Sequence, residues 1–562
     1  MSAEPSLIPS RIGRSGWAEA SILSRAHERD GEVPDYIIIG GGSAGCAAAS
    51  RLSEDQNATV TILEEGPSDR AIEIHLPVMV YKTATGNLLK RYEQEPTAGI
   101  PKASKPTMVQ ASVLGGGSSV NAMLYVRGIP SDYDRWEEQG AEGWGWKDVL
   151  PYFIKAEDNC SLAGPAHGVG GPLHVSYPEH VSPLSKVWLR AAQQFGMPYV
   201  TDFNAGDQAG CGLYQMTVRN GRRASAAVCY LKPARKRSNL QIRTGCKVVR
   251  ILTEDNRAVG VEFIEQGSVR QMRADREIIV AAGAINSPRL LMLSGIGPGA
   301  HLQQLGIPVV KDLPGVGQNL QDHMDVYLIY ELSGAHGYDR YKKLHWKAWA
   351  GLQYALFRTG PVCSNVIEAG GFWWANQDDL YADIQFAFLA GSGIEEGVKP
   401  VESGNGCTLN VCQTRPRSRG HIALRSADPS EAPIIAPNYL SDPYDLDTMA
   451  EGVRVGQQIM RQSALQPYIR REQFPGRPMD TIDDYRDYVK EMAQGALHPT
   501  GTCRIGKDRM AVVDSQLRVH GVRGLRVADA SVLPGVPSGN TNGPAIMVGE
   551  RVADFIRRAK NN

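Results

Sequence analysis

No run of about 18 consecutive apolar residues occurs in the 562-residue chain, so no transmembrane helix is expected. The nine cysteines are odd in number and form no C-x-x-C pair, which argues against a disulfide framework and a zinc site. Reduced thiols and a cytoplasmic location follow as the expectation. Net charge is missing too: 60 basic residues face 60 acidic ones, so no nucleic-acid partner is expected. Paired carboxylates, a metal-ligand cluster and a G-x-S-x-G elbow are all lacking, and the lone Asp322-His323 neighbour pair makes no metal site. Residues 1–34 lack the apolar core of a signal peptide, because Arg11, Arg14, Glu28, Asp30 and Glu32 interrupt them. Around Trp17, Ile22 and Leu23 a short packed helix and an unfolded lead-in both remain open.

What is present points first to an α/β protein. The length suits two domains, or one with large insertions, and 42% apolar residues with 60 glycines suit a loop-rich α/β chain. The stretch Asp35–Gly66 organises the rest. Tyr36–Ile39 is a β-branched run without helical period and reads as a buried strand. Gly40, Gly42 and Gly45 follow in G-x-G-x-x-G spacing, with Ala44 and Ala47–Ala49 opening a helix that can pack closely on a sheet. A second strand, Val60–Leu63, ends on Glu64. Gly40 permits a tight turn, Gly42 lets backbone approach a pyrophosphate, and Gly45 permits close helix–strand contact. The phosphates belong at the helix N-terminus and the ribose hydroxyls at Glu64. Together these parts specify a dinucleotide site without separating FAD from NAD.

Further on, Gln110–Gly128 reads QASVLGGGSSVNAMLYVRG. Through Gly116, Ser118, Ser119, Asn121, Met123, Tyr125, Arg127 and Gly128 it resembles the first signature of the glucose–methanol–choline (GMC) oxidoreductases. Ala282–Pro298, Pro314–His323, Arg358–Phe372, Ser418–Ser426, His498–Gly506 and Val527–Glu550 continue the resemblance in family order, nearest to the bacterial choline dehydrogenase-like and alcohol oxidase branch. The resemblance implies an α/β (α+β) fold. Its Rossmann-like FAD-binding domain is assembled from discontinuous segments, residues 35–159, 231–324 and 496–562. A substrate-binding domain, residues 160–230 and 325–495, has an antiparallel sheet roofed by helices. Residues 1–34 are an N-terminal extension. Read physically, Lys247–Ile251, Ala258–Phe263, Glu277–Ala282 and Leu525–Ala528 suit strands returning to the nucleotide-binding sheet, and Pro544–Arg558 suits a final helix. Arg70–Thr107 has little regular pattern and suits a lid or cofactor-covering loop.

The implied chemistry is oxidation of a primary or polyol alcohol. A base takes the hydroxyl proton and flavin N5 takes the hydride. Of twelve histidines, His498 stands where the family keeps its catalytic base, and Asn540 falls on the second position of the family's pair, where its amide would hold the substrate oxygen. The resemblance assigns cofactor contacts to Gly40, Gly42, Ser43, Ala44, Gly45, Glu64, Glu65, Gly116, Ser118, Asn121, Ala122, Val248, Asp529, Ala530, Asn542 and Pro544. Val120 occupies the position where some relatives carry a flavin-linked histidine, so noncovalent FAD is expected. Gly117 stands where many relatives have serine or cysteine. Cys503 reads as a small packing residue.

Several features stay open in the sequence. Phe372, Trp373 and Trp374 suit either a cation-binding wall or a core strand, and Glu368 can face either way. Leu344–Phe357 places Trp346, Trp349, Leu352 and Leu356 on one helical face. Covering a core is the leading expectation there, with a peripheral membrane contact or an oligomer interface behind it. Monomer or homo-oligomer is undecided, as is the choice of oxygen or a quinone as acceptor. A non-redox lyase of the hydroxynitrile type and a light-driven flavin decarboxylase are the rival functions on this fold.

Overall fold

The β-branched run Tyr36–Ile39 forms a fully buried strand in the middle of a five-stranded sheet. The order is Leu240–Thr244, Val60–Glu64, Tyr36–Ile39, Glu277–Val280 and Leu525–Val527, with every neighbour parallel. Ile38 sits level with Ile62 on one side and Ile279 on the other. The central strands, covered on both faces, need no polar alternation, which is why Tyr36–Ile39 and Glu277–Val280 carry unbroken runs of Ile and Val. The chain is described here from a computed structural model, over residues 33–97, 100, 107–376, 379–393 and 401–561. The expectations for Trp17, Ile22 and Leu23 lie outside those residues.

The helix Ser43–Leu52 buries Cys46, Ala47, Ala48 and Ala49 completely. The last helix, Asn542–Asn561, packs along it so closely that a Cβ on Gly549 would stand 2.3 Å from the Ala44 carbonyl oxygen. Arg51 Nε meets Glu550 at 2.8 Å across this contact. These two helices are therefore one packed pair. Ile546, Val548 and Val552 point into the core, as the spacing requires.

Two strand assignments change. Cys246–Glu254 and Arg257–Glu265 do not return to the parallel sheet, but pair with Ser268–Arg273 in a separate antiparallel sheet. The cause is local: Asp255 and Asn256 both have positive φ (47° and 55°), the backbone of a tight hairpin. The strand that does join the parallel sheet from this region is Leu240–Thr244, half-exposed at its edge. Arg70–Thr107 is also more regular than expected. It contains the helices Ile72–His75 and Val80–Thr85 and the strand Leu89–Glu93, which pairs with Thr107–Ala111.

The second large sheet is antiparallel and has six strands. Its main order is Ala369–Trp373, Ile384–Leu389, Gly406–Gln413, Met324–Leu332 and Ile469–Phe474, and Gln494–Gly495 pairs with the start of Met324–Leu332. Helix Pro443–Met460 covers it, with Gly452 so near Ile384 that a Cβ would reach Cδ1 at 2.7 Å. One continuous apolar core runs from Ile37 and Ile279 to Phe386 and Val453. Phe372 belongs to the inner packing, edge-on to Phe203 and Tyr214, and Trp373 packs on Phe195. Glu368 also turns inward, where it accepts hydrogen bonds from Ser185, Ser364 and Tyr338.

The helix Leu344–Phe357 forms where its pattern places it, but it does not cover a core. Ala350 and Tyr354 are its buried residues, and its large apolar side chains face outward.

Candidate active site

One cavity of about 1660 Å³ runs from the carboxyl ends of the parallel strands to the face of the antiparallel sheet. Single small-molecule sites hold roughly 300–1,000 Å³, so this one has room for a dinucleotide and a substrate together.

At the parallel-sheet end the wall is backbone and glycine. Helix Ser43–Leu52 starts after Gly42 with no side chain capping it, so its first N–H groups remain available beside the cavity. A Cβ on Gly45 would lie 2.1 Å from the Gly40 carbonyl oxygen, and one on Gly116 would lie 2.7 Å from Gly42 Cα. No larger residue fits either place without moving backbone. Glu64 closes its strand and accepts hydrogen bonds from the backbone N–H of Gly41 and of Gly66, each at 2.7 Å. Burial pushes its pKa up, while these two donors pull it down.

A second helix N-terminus comes from the far end of the chain. Asn542 opens the last helix, and its Oδ1 accepts from Ser43 Oγ at 2.7 Å. Asp529 lies after the strand Leu525–Val527 and holds three donors: Gly283 N–H at 2.8 Å, Ser287 Oγ at 2.5 Å and Ser531 N–H at 2.8 Å. Asn121 Oδ1 accepts from Met123 N–H and from Arg223, while Glu65 pairs with Lys90. Ala44, Ala122, Val248 and Ala530 complete this part of the wall.

Three of the expected contacts sit behind that wall. Gly45 packs helix on strand. Ser118 Oγ donates to the Gly115 carbonyl at 2.6 Å and accepts from Ala226 N–H at 2.9 Å, so the hydroxyl is already engaged. Pro544 lies in the first turn of its helix, where a missing N–H costs nothing. Val120, by contrast, lines the cavity, and Gly117 lines it with nothing within 4 Å of an added Cβ.

At the other end two imidazoles and an amide come together. Thr500 and Gln321 exchange backbone hydrogen bonds, and Ala496 N–H donates to the His323 carbonyl at 2.9 Å, which brings His498 alongside His323. The backbone N–H of His498 donates to Asp322 at 2.7 Å, and Tyr439 OH donates to the same carboxylate at 2.7 Å. Asn540 arrives from a third segment, pinned by its N–H to the Val126 carbonyl at 3.0 Å.

The hydrogen bonds among these side chains fix the protons. His323 Nε2 is 3.0 Å from the Thr414 carbonyl, which can only accept, so the proton is on Nε2. His323 Nδ1 must then accept from His498 Nδ1–H, 3.0 Å away. His498 Nε2 is left with its lone pair, which accepts from Asn540 Nδ2–H at 3.3 Å. Burial holds both imidazoles neutral, bringing His323 down to about 4 and His498 down to about 3. Asn540 Oδ1 is buried with no partner at all. Such a group awaits a ligand or a solvent molecule.

His323 was passed over in the sequence because its partners lie far away in the chain. Its signal was the dipeptide Asp322-His323, whose two members hold the two faces of the His498 segment. Cys503 is fully buried, and burial raises its thiol, as a packing residue requires. Among the described residues no cluster of three His, Cys, Asp or Glu could hold a metal. Beyond His498 the cavity wall includes Asp325, Tyr327, Gln385 and Asn410. Burial pushes Asp325 up to about 6, and Phe372, Trp373 and Trp374 take no part in this wall.

The donor set fits FAD. Two helix N-termini and a close glycine turn suit the diphosphate, the caged Glu64 suits ribose hydroxyls, and the cavity continues from them to the imidazole pair. Comparison with known proteins agrees. The GMC oxidoreductase N-terminal model matches residues 34–325 and its C-terminal model matches residues 416–549. An oxygen-dependent choline dehydrogenase of Brucella ovis is 42% identical over 529 residues, covering 93% of this chain and 95% of the relative. The mitochondrial choline dehydrogenase of Mus musculus is 40% identical, covering 93% and 89%. Among solved structures, pyridoxine 4-oxidase from Mesorbium loti superposes with a TM-score of 0.84 at 30% identity, covering 94% of this chain and 99% of that one. Formate oxidase of Aspergillus oryzae gives a TM-score of 0.88 at 28% identity, covering 95% and 99%. The chain belongs to the GMC oxidoreductase family and is an FAD-dependent oxidoreductase acting on CH–OH donors.

Proposed function

We propose that the protein oxidises a small primary alcohol carrying a cationic group, choline above all, to its aldehyde. The observation that carries this reading is the run Thr414 carbonyl–His323–His498–Asn540, which leaves one unprotonated nitrogen, His498 Nε2, beside an amide N–H. The base takes the hydroxyl proton at Nε2. Asn540 Nδ2 donates to the alkoxide oxygen as its charge develops, and so lowers the barrier. His323 holds the base in the tautomer that has its lone pair toward the substrate. Bound FAD supplies the two-electron acceptor for the hydride of the carbinol carbon. Asp325, mostly ionised at pH 7, attracts the substrate's cationic end, with Tyr327 and Tyr439 also in the wall.

The dinucleotide is held by Gly40, Gly42, Ser43, Glu64, Gly116 and the Asn542 helix end. It is held without a covalent link, since Val120 carries no nucleophile. The FAD-binding domain comprises residues 35–159, 231–324 and 496–562, and the substrate-binding domain residues 160–230 and 325–495. Oxygen or a quinone accepts the electrons. All nine cysteines are unpaired, which suits the reducing cytoplasm. No described helix is long and apolar enough to cross a membrane.

Anaerobic mixing with choline in the dark tests the reading. The flavin absorbance bleaches if an alcohol is the reductant. A lyase or a light-driven decarboxylase leaves it yellow, and that result with a broad alcohol panel overturns the assignment. Comparing reoxidation by air and by a quinone decides the acceptor.

A further inference from the structure

The helix Leu344–Phe357 turns its apolar face away from the protein. Tyr354 anchors it, donating from its hydroxyl to the Gly221 carbonyl at 3.1 Å, and Ala350 is the other buried residue. Leu344 (82% exposed), Trp349 (60%), Leu352 (51%) and Leu356 (64%) recur on the opposite side at helical spacing. Phe357 (69%) and Trp346 (38%) flank them. Soluble monomers rarely leave so much contiguous apolar surface uncovered.

The charges of the helix and of its flanking chain have one sign, although Glu179 lies near its C-terminal end, where it accepts from the Gly221 N–H. From Arg340 to Ile367 the chain has no acidic residue, while Arg340, Lys342, Lys343, Lys347 and Arg358 are all basic. Lys342 pairs with Asp339, Arg340 lies over the rings of Tyr341 and Trp346, and Arg358 lies over Tyr354. Lys343 and Lys347 make no ion pair among the described residues, and both are exposed.

We propose that this helix docks the protein onto a bilayer bearing anionic headgroups. It lies in the plane of the interface, with Trp349, Leu352 and Leu356 among the upper acyl segments and Lys343, Lys347 and Arg358 at the phosphates. Its 14 residues span about 21 Å, too short to cross a bilayer. Tryptophan beside leucine, flanked by lysine, is the composition of an interfacial helix. A second copy of the chain is a poorer occupant. Across a two-fold axis the same patch meets itself, and the unpaired Lys343 and Lys347 would oppose their own copies.

The docking face is also close to the cavity in the packing. The helix packs on Pro361–Cys363, that turn packs on Pro77–Met79, and Val80 and Ala84 of the next helix stand in the cavity wall.

Co-sedimentation of the full-length, FAD-loaded protein tests the proposal, using phosphatidylcholine vesicles with and without phosphatidylglycerol. The wild type sediments with the phosphatidylglycerol vesicles and stays soluble with phosphatidylcholine alone. The triple variant Trp349→Gln, Leu352→Gln, Leu356→Gln loses at least about 10-fold of the bound fraction, while its flavin is reduced by alcohol at the wild-type rate. The pair Lys343→Gln, Lys347→Gln loses the preference for phosphatidylglycerol. A wild type that stays in the supernatant with both vesicles overturns the proposal. So does sedimentation velocity in which the triple variant converts a dimer to a monomer without vesicle binding in either form.

Discussion

At the glycine end of the cavity the ligand meets backbone N–H groups and one carboxylate already caged by Gly41 and Gly66 at 2.7 Å. At the histidine end it meets side chains from three distant segments, His323, His498 and Asn540, and Asn540 keeps a buried oxygen without any partner. The first end has its carboxylate already engaged and its helix N–H groups open, and on the proposed reading it governs how tightly the cofactor is held. The second end is incomplete, with an unused amide oxygen on Asn540, and on the proposed reading it governs how fast the substrate reacts. Affinity and rate should therefore separate under mutation.

The largest effect is expected at the base. His498→Ala should slow anaerobic flavin reduction by about 10³-fold or more while the purified protein keeps its full flavin content. Loss of flavin along with rate would break the separation. Asn540→Ala comes next, with an expected drop of about 10²-fold or more in the limiting reduction rate, read by stopped-flow absorbance. For His323→Ala the expectation is about 10- to 100-fold in the limiting rate with KM unchanged. A change in KM alone would mean that His323 shapes the pocket and does not orient the base.

At the other end, Glu64→Gln should weaken FAD retention by about 10-fold, since a hydrogen bond to a charged group is lost. The reconstituted variant should reduce its flavin at the wild-type rate. A smaller effect belongs to pH. Asp325 sits at about 6, so it gains a proton as pH falls through that value. KM for a cationic alcohol should then rise about 10-fold by one unit below it. The limiting rate should hold over the same interval, because His498 remains neutral well below its usual pKa. A neutral isostere of choline should show no such rise.

How much of this was legible follows from where the parts sit in the chain. Gly40, Gly42, Gly45 and Glu64 act within one contiguous βαβ unit, so spacing alone exposes them. Leu240–Thr244 escaped because an edge strand is half-exposed, and its sequence LQIRT alternates where a buried strand would run apolar. The hairpin at Asp255-Asn256 did carry its signal, two adjacent residues suited to positive φ, and it outweighed the apolar run beside it. His498 and Asn540 were reached through family resemblance. His323 needed the backbone pairing of Gln321 with Thr500, which no local pattern announces. Leu344–Phe357 shows the opposite failure: its period was right, but period cannot say which medium an apolar face meets.

The edge strand Leu525–Val527 has one more consequence. It completes a sheet whose central strand, Tyr36–Ile39, is made before the other four, and the helix that packs on Ser43–Leu52 is made later still. For most of its synthesis the nascent chain therefore carries a nucleotide motif with neither its last strand nor its covering helix. A chain cut short before Asn542 lacks the Asn542–Ser43 hydrogen bond and the helix beside it, and on the proposed reading it should retain no FAD.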